Sequence, residues 1–264
     1  MEGGSIWQNL AAQFTGHWEL LLLSSIVIFL AAIVRGFSGF GFSLLSITAI
    51  SIIMPAREIV PSIFLLEVAA SINLIPSIWR QIDWRGIAWL LLGYVLFLPL
   101  GVYALANVPA PPMNIALGAF VIATGIMMLN GFRLEKTPKA PAIVATGAAS
   151  GLLNGAFGTG GPPVVLFYFS TPAAVAVGRA SIIAFFLSTD TLGLGELARN
   201  GLVTTQSFAQ FIAWIPALLI GIFIGAKGFK HMDPVKFRRV VLYILIALAA
   251  VTLVKAGYDL GGVG

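Results

Sequence analysis

The stretch Asn154-Gly-Ala-Phe-Gly-Thr-Gly-Gly161 decides the fold, because the first half of the chain carries a related stretch, Arg35-Gly-Phe-Ser-Gly-Phe-Gly41. Three glycines recur at one constant offset: Gly36, Gly39 and Gly41 return as Gly155, Gly158 and Gly160. Each stretch follows an apolar run and precedes a shorter one. Unpaired backbone N–H groups are very costly in lipid, so such breaks survive only where protein or a water-filled cavity surrounds them. Paired breaks in corresponding halves of an apolar chain point to the binding site of a transporter.

The composition is that of a membrane protein. Of the 264 residues, 59% are hydrophobic and only 9% are charged, whereas a soluble domain has about 25% charged residues. The sequence has no cysteine and two histidines, and it lacks serine-hydrolase, Walker and His-Glu-x-x-His signatures. We therefore expect no enzyme, no cofactor and no metal centre. The net charge of +5 comes from short loops beside apolar segments, which is typical of cytoplasmic loops and does not indicate nucleic-acid binding.

Apolar runs of about 20 residues predict the membrane spans. The clear candidates are 59–79, 86–106, 112–131, 174–195, 204–226 and 239–257. Two further segments, 18–54 and 141–171, are broken by the glycine stretches and predict hairpins that either span the membrane or re-enter it. The predicted fold is an all-α polytopic membrane protein of two inverted repeats, each a glycine-broken hairpin plus three spans. The repeats are residues 1–131 and 141–264, joined by a cytoplasmic linker at 132–140.

The inversion follows from the number of crossings. A hairpin begins and ends on the same side of the membrane, so each half crosses it an odd number of times and the second half is inverted. This arrangement places both termini outside and every basic cluster in the cytoplasm, as the positive-inside rule requires. The clusters are Arg80 with Arg85; Arg133, Lys136 and Lys139; and Lys227, Lys230, His231, Lys236, Arg238 and Arg239.

The chain resembles the TauE/SafE family of sulfite and organosulfonate exporters. The resemblance covers about residues 30–257 and rests on Gly36-Phe-Ser-Gly-Phe-Gly-Phe42, Gly151-Leu-Leu-Asn-Gly-Ala-Phe-Gly-Thr-Gly-Gly-Pro-Pro163 and Asp83-Trp84. It implies two glycine-rich hairpins, each followed by three spans, and the ion-coupled export of sulfur-containing anions from bacterial cells. Arg35 and aromatic residues replace the glycine run that is commoner in the first hairpin of the family. A larger organic anion such as sulfoacetate is therefore a candidate substrate beside sulfite.

The glycine stretches predict an oxyanion site. A glycine-rich turn that leads into a helix presents free N–H groups and the positive end of the helix dipole. An arginine grips an oxyanion with two parallel hydrogen bonds, and hydroxyls add further donors. The predicted substrate-binding residues are Arg35, Gly36, Ser38, Gly39, Gly41, Asn154, Gly155, Gly158, Thr159, Gly160 and Gly161. Two alternatives stand beside this hypothesis. Arg35 could be a cytoplasmic anchor, and Gly147, Gly151 and Gly155 could form a helix-contact face.

Glu67 and Asp190 lie within predicted spans. A carboxylate at that depth must be paired, protonated or bound to an ion, and a low dielectric favours its neutral form. We predict that both couple transport to protons; the alternative is a structural pair with Arg35 or Arg179. Further polar residues on these spans are predicted to line the pathway: Asn73, Arg179, Ser188 and Thr189.

Other classes of function stay open at this stage. An anion channel or uniporter would use the same turns without titrating carboxylates, and a membrane-embedded enzyme or accessory subunit would not transport. A secondary transporter is favoured, because the sequence has no nucleotide-binding motif and an ion gradient or the membrane potential would supply the energy. The predicted partners are a small anionic substrate, protons and the lipid bilayer, with no nucleic acid. The oligomeric state is open, with a homodimer among the options.

Overall fold

The chain folds as a bundle of helices. The computed structural model describes residues 18–38, 40–72, 75–130, 138–170, 175–228 and 234–260, and every regular element within these ranges is helical. Six of the described helices are long and apolar enough to cross a membrane: Trp18–Phe37, Trp84–Asn107, Ala110–Leu129, Ala140–Phe157, Val177–Arg199 and Thr205–Lys227. The prediction of an all-α polytopic membrane protein is thereby confirmed.

The helices follow one another with short connections. Those of the first half are α1 (Trp18–Ser38), α2 (Phe42–Ile50), α3 (Ala56–Ile72), α4 (Ile75–Ile78), α5 (Trp84–Asn107) and α6 (Ala110–Leu129), with a 3₁₀ turn at Trp79–Gln81. Those of the second half are α7 (Ala140–Phe157), α8 (Gly161–Ser170), α9 (Val175–Arg199), α10 (Thr205–Gly228) and α11 (Pro234–Leu260).

Each glycine break joins a long helix to a short one. The first arms, α1 with 21 residues and α7 with 18 residues, are about 27–31 Å long, enough to cross the hydrocarbon core. The second arms, α2 with 9 residues and α8 with 10 residues, reach only about half of that thickness. Gly41 (φ 90°) precedes α2 and Gly158 (φ 64°) ends α7, in left-handed conformations that glycine adopts without steric cost.

One predicted span is shorter than expected. The sequence predicted a continuous helix over 59–79, but α3 ends at Ile72 and a separate short helix, α4, begins at Ile75. Pro76 is consistent with this boundary, because it has no N–H to donate to the Ile72 carbonyl, its ring would clash with that carbonyl in a continuous helix, and it is tolerated in the first turn of a new helix. The other predicted spans coincide with helices at closely similar bounds.

The long hairpin arms pack against helices of the opposite half, with residue numbers rising together along both partners. Glycines of α7 lie on the backbone of α5, with Gly147 against Leu90, Gly151 against Tyr94 and Gly155 against Leu98. The pair α1 and α10 is built in the same way, with Gly221 against Phe29 and Gly225 against Ile33. Both pairs therefore run parallel. The helix-contact face formed by Gly147, Gly151 and Gly155 is present, as the spacing of four suggested.

Two further pairs run antiparallel. Between α6 and α11, Gly118 lies against Leu253 while Gly125 lies against Ile246, so the numbers rise on one helix and fall on the other. Between α3 and α9, Gly193 lies against Phe64, and Asp190 is close to Glu67 one turn away. The helices α3 and α9, and likewise α6 and α11, therefore pack against each other in antiparallel orientation.

The outer surface is apolar and carries tryptophans at the helix ends. Trp18 is 57% exposed at the start of α1, and Trp79 and Trp84 are 55% and 46% exposed near the start of α5, which is typical of the aromatic belts at membrane–water interfaces. Trp214 is only 1% exposed. Its indole N–H donates a hydrogen bond to Ser24 Oγ at 3.1 Å, which joins α10 to α1.

The contact between α5 and α7 leaves no room for a side chain at Gly147. A Cβ there would meet the backbone of Leu90, so the helices must separate. We expect Gly147→Ala to lower the stability by about 1–3 kcal/mol, measured as the midpoint of thermal unfolding of the purified protein in detergent. Gly257→Ala is the matched control, because nothing lies within 4 Å of that position. An equal midpoint for both variants would contradict the close packing of α5 and α7.

Candidate functional site

The guanidinium of Arg35 is buried between α1 and α3. Arg35 is 4% exposed, and its Nη1 forms an ion pair with the Glu67 carboxylate. Its Nη2 donates to Ser71 Oγ at 2.6 Å. Glu67 and Ser71 are four residues apart and therefore lie on the same face of α3. The pairing with Glu67 was one of the alternatives drawn from the sequence. The burial of this ion pair favours a role inside the bundle over that of a cytoplasmic anchor.

The Glu67 carboxylate also contacts the start of α2. Its Oε1 accepts a hydrogen bond from the backbone N–H of Ser43 at 3.3 Å, in the first turn after Gly41. The first N–H groups of a helix have no partner within the helix and carry the positive end of its dipole. A guanidinium and a helix N-terminus therefore converge on one carboxylate. We call the Arg35 guanidinium and the Ser43 N–H together the oxyanion cradle.

The second hairpin tip is closed by its own side chains. Asn154 Oδ1 accepts from the Gly160 N–H at 2.9 Å, and Ser150 Oγ donates to the Gly160 carbonyl at 2.6 Å. Asn154 Nδ2 donates to Tyr94 Oη at 2.8 Å, and that hydroxyl donates to the Thr189 carbonyl at 2.7 Å. Asn154 thus satisfies the turn and links it to α5 and α9.

The two tips differ in the donors that they offer. Pro162 and Pro163 begin α8 and have no N–H, so the first turn of this helix is poor in free donors. The Gly160 N–H is already bonded to Asn154. The Thr159 hydroxyl, 1% exposed, has no hydrogen-bond partner among the described residues, so it is the unsatisfied polar group of this tip. The charged donor, Arg35, belongs to the first tip, and the equivalent position in the second tip is the neutral Asn154.

Asp190 adds a second carboxyl group to the cluster. It is 6% exposed, lies within electrostatic reach of Glu67 and Arg35, and is close to the Asn154 amide. Within the described part of the chain, no cation forms an ion pair with it. One guanidinium therefore faces two carboxyl groups. With both carboxyls ionised, the cluster would carry a net negative charge in nonpolar surroundings, which is costly unless a proton or a cation neutralises it.

Several predicted site residues lie elsewhere. Gly36 and Gly155 are at the contacts of α1 with α10 and of α7 with α5, respectively, so they shape the bundle and do not face the cradle. Arg179 is exposed near the start of α9. It is about 16 Å along the helix from Asp190, and it pairs with neither carboxyl group in the described part of the chain.

The hydroxyls of Ser188 and Thr189 bond to carbonyls of their own helix, Ala184 and Phe186. Both hydroxyls are therefore satisfied within α9. Other predicted positions lie outside the described residues: Gly39, Asn73 and the side chain of Ser38.

Four contributors to the site were missed from the sequence: Ser43, Ser71, Tyr94 and Ser150. Ser71 could have been found, because it follows Glu67 by four residues and shares its helix face. Tyr94 carried a weaker signal, a lone hydroxyl in the middle of a long apolar span, where a buried phenol usually needs a partner. The backbone N–H of Ser43 and the hydroxyl of Ser150 have no sequence signal of their own.

The fold and the site define a class: a multi-pass membrane protein with two glycine-broken hairpins, buried ionisable groups between them and the architecture expected of a transporter. Comparison with known families makes the assignment specific. The profile of the family described as sulfite exporter TauE/SafE matches residues 24–252, and the chain belongs to this family.

Two curated relatives agree with this assignment. The chain is 25% identical over 227 residues to a probable sulfite/organosulfonate exporter TauE of Cupriavidus necator, covering 84% of this chain and 88% of that protein. It is 23% identical over 187 residues to a probable inner membrane transporter protein TsaS of Comamonas testosteroni, covering 70% of this chain and 78% of that one. Both are named as an exporter or a transporter and neither as an enzyme. No solved structure matches the chain.

Proposed function

We propose that this protein is a secondary transporter that exports a sulfur-containing oxyanion, sulfite or an organosulfonate such as sulfoacetate, across the bacterial inner membrane. The observation that carries the proposal is the oxyanion cradle. Arg35 and the start of α2 hold a carboxylate deep in the bundle, and a sulfonate offers the same negatively charged oxygens to such donors. The Thr159 hydroxyl is the donor that the second tip would add.

Proton coupling is the second part of the proposal. Glu67 and Asp190 face the same guanidinium, so an arriving anion adds a further negative charge to a cluster that already has an excess of carboxyl groups. Uptake of a proton by either carboxyl group offsets that charge. The two residues are therefore placed to exchange protons as the anion binds and leaves.

The helix directions support two inverted repeats. Like-placed helices, α3 with α9 and α6 with α11, contact each other antiparallel, as a two-fold axis in the membrane plane requires. In each half, the long arm presents a polar side chain to a carboxyl group on the third helix of that half, Arg35 to Glu67 and Asn154 to Asp190.

The same directions support both termini lying outside. They bring Arg80, Arg85, Lys139, Arg179 and Lys227 to one side of the bundle and Arg57, Arg199 and Lys255 to the other, and the positive-inside rule assigns the side with more cations to the cytoplasm.

A counterflow assay tests the function. Purified protein in liposomes loaded with one anion should take up the labelled anion from outside, with a rate that saturates. We expect trans-stimulated uptake of sulfite or sulfoacetate and at most weak uptake of sulfate. Taurine and thiosulfate are tested as further candidate substrates in the same assay. Protein-free liposomes are the control for leakage, which matters because sulfite is partly protonated near neutral pH.

The alternatives give different results in the same vesicles. Flux that does not saturate, accompanied by single-channel conductance in a planar bilayer, would identify an anion channel and contradict the carrier. Absence of flux for every sulfur oxyanion would contradict the proposed substrate class.

A further inference from the structure

We infer that the Glu67 carboxylate is a tethered occupant of the oxyanion cradle, and that the exported anion binds by displacing it from Arg35 and the Ser43 N–H. The inference rests on the proposed function and deepens it, because it defines what the substrate must replace. The substrate then needs at least two negatively charged oxygens on one atom, since the displaced group engages two separate donors with its two oxygens.

The contacts of Glu67 are those expected of a bound oxyanion. One oxygen is paired with the guanidinium and the other accepts from the first turn of a helix. The group is 3% exposed, so the carboxylate fills the position that an incoming anion would need. Structural ion pairs do not require a helix N-terminus on the second oxygen, whereas anion sites commonly use one.

The Glu67 carboxylate lowers the energetic cost of the buried Arg35 guanidinium in the substrate-free carrier. Arg35 is buried, and an unpaired guanidinium in the bundle would be costly when no substrate is present. Glu67 neutralises it in that state. When the anion takes over this role, the Glu67 carboxylate loses its cation, so it must take up a proton from water to remain buried. Binding of the anion is thereby linked to uptake of a proton.

The groups that face Glu67 set the direction of this link. They are the Arg35 guanidinium from α1, the Ser43 N–H from α2, Ser71 on α3 itself and the Asp190 carboxyl from α9. Among these described groups the single cation is Arg35. Protonation of Glu67 removes the competitor for that cation, and an ionised Asp190 repels both the anion and the ionised form of Glu67. Acidic solution should therefore strengthen anion binding.

The test is the affinity of purified protein in detergent for sulfoacetate and for ethanesulfonate, measured by isothermal titration calorimetry. Both sulfonates stay ionised between about pH 6 and about pH 8, so the titration of the ligand does not interfere. Glu67→Gln keeps the size of the side chain and removes its charge. We expect it to bind the sulfonate about tenfold more tightly than the wild type at about pH 8, which corresponds to ~1.4 kcal/mol. The matched control is Glu58→Gln in the first turn of the same helix, with unchanged affinity.

A purely structural role for Glu67 predicts the reverse. Glu67→Gln would then have a lower unfolding temperature and equal or weaker sulfonate affinity. That result would overturn the inference. Sulfonate binding by the wild type would still support the proposed function. If Glu67→Gln does not fold, the wild type decides: tighter binding at about pH 6 than at about pH 8 supports displacement, and equal affinity overturns it. If wild type and variant both fail to bind either sulfonate, and sulfite as well, at either pH, the proposed function fails too.

Discussion

Arg35→Ala is expected to abolish transport and to lower the stability of the protein by about 3–5 kcal/mol, because the substitution leaves the Glu67 carboxylate buried without its cation. Arg35 is 4% exposed and Glu67 is 3% exposed, so water cannot replace the missing partner. Transport is measured by sulfonate counterflow in liposomes, and stability by the unfolding midpoint in detergent. The variant is best purified at low temperature, since part of it will be unfolded at growth temperature.

A double variant separates the loss of stability from the loss of function. Arg35→Met with Glu67→Leu replaces both charges by apolar groups of similar length, and buried ion pairs replaced in this way often lose little stability. We expect the double variant to regain most of the unfolding midpoint and still to transport nothing. Normal counterflow in Arg35→Ala would remove Arg35 from the substrate site. If the double variant is as unstable as Arg35→Ala, then Arg35 does not stabilise the protein through its ion pair with Glu67.

Asp190→Asn is expected to flatten the pH dependence of transport, leaving the part that Glu67 carries, and to slow transport by about tenfold, equivalent to ~1.4 kcal/mol. The amide keeps the shape of the side chain beside Asn154 but cannot take up or release a proton. For sulfoacetate, wild-type counterflow should differ between about pH 6 and about pH 8, and this difference should be smaller in the variant. The rates are compared at equal amounts of reconstituted protein.

The matched control for this experiment is one residue along the same helix. Thr191 is exposed and its hydroxyl bonds to Leu187 of its own helix, so Thr191→Val should leave both the rate and the pH profile unchanged. If Asp190→Asn keeps the wild-type pH profile, then either Glu67 alone carries the coupling proton or transport is not coupled to protons.

The membrane spans could be predicted because the length of an apolar run sets them. The short second arms could not. After Ile50, where α2 ends, the chain continues as Ser-Ile-Ile-Met, so hydropathy shows no boundary where the backbone turns. Pro76 is a sequence signal for a break, but the hydropathy of the residues around it predicted one continuous span over 59–79.

The sequence identified the charged residues of the site better than it identified the contacts between them. Burial required partners for Glu67 and Asp190, and the sequence offered two cations for them, Arg35 and Arg179. Which carboxyl group forms the ion pair depends on how α1 lies against α3, and local spacing does not encode that contact. The sequence shows that only the first tip carries a charge, at Arg35, but it does not show that Asn154 closes the second turn, because that side-chain geometry is fixed only in the fold.

The parallel pairing of α1 with α10 has a consequence for biogenesis. At about 5–20 residues per second, α10 leaves the ribosome on the order of ten seconds after α1. During that interval the face of α1 that carries Gly36 must be covered by lipid or by an insertion factor, while Arg35 waits only for the nearby Glu67 to be synthesised. Nascent chains that stop before Thr205 therefore keep one early helix without its final neighbour.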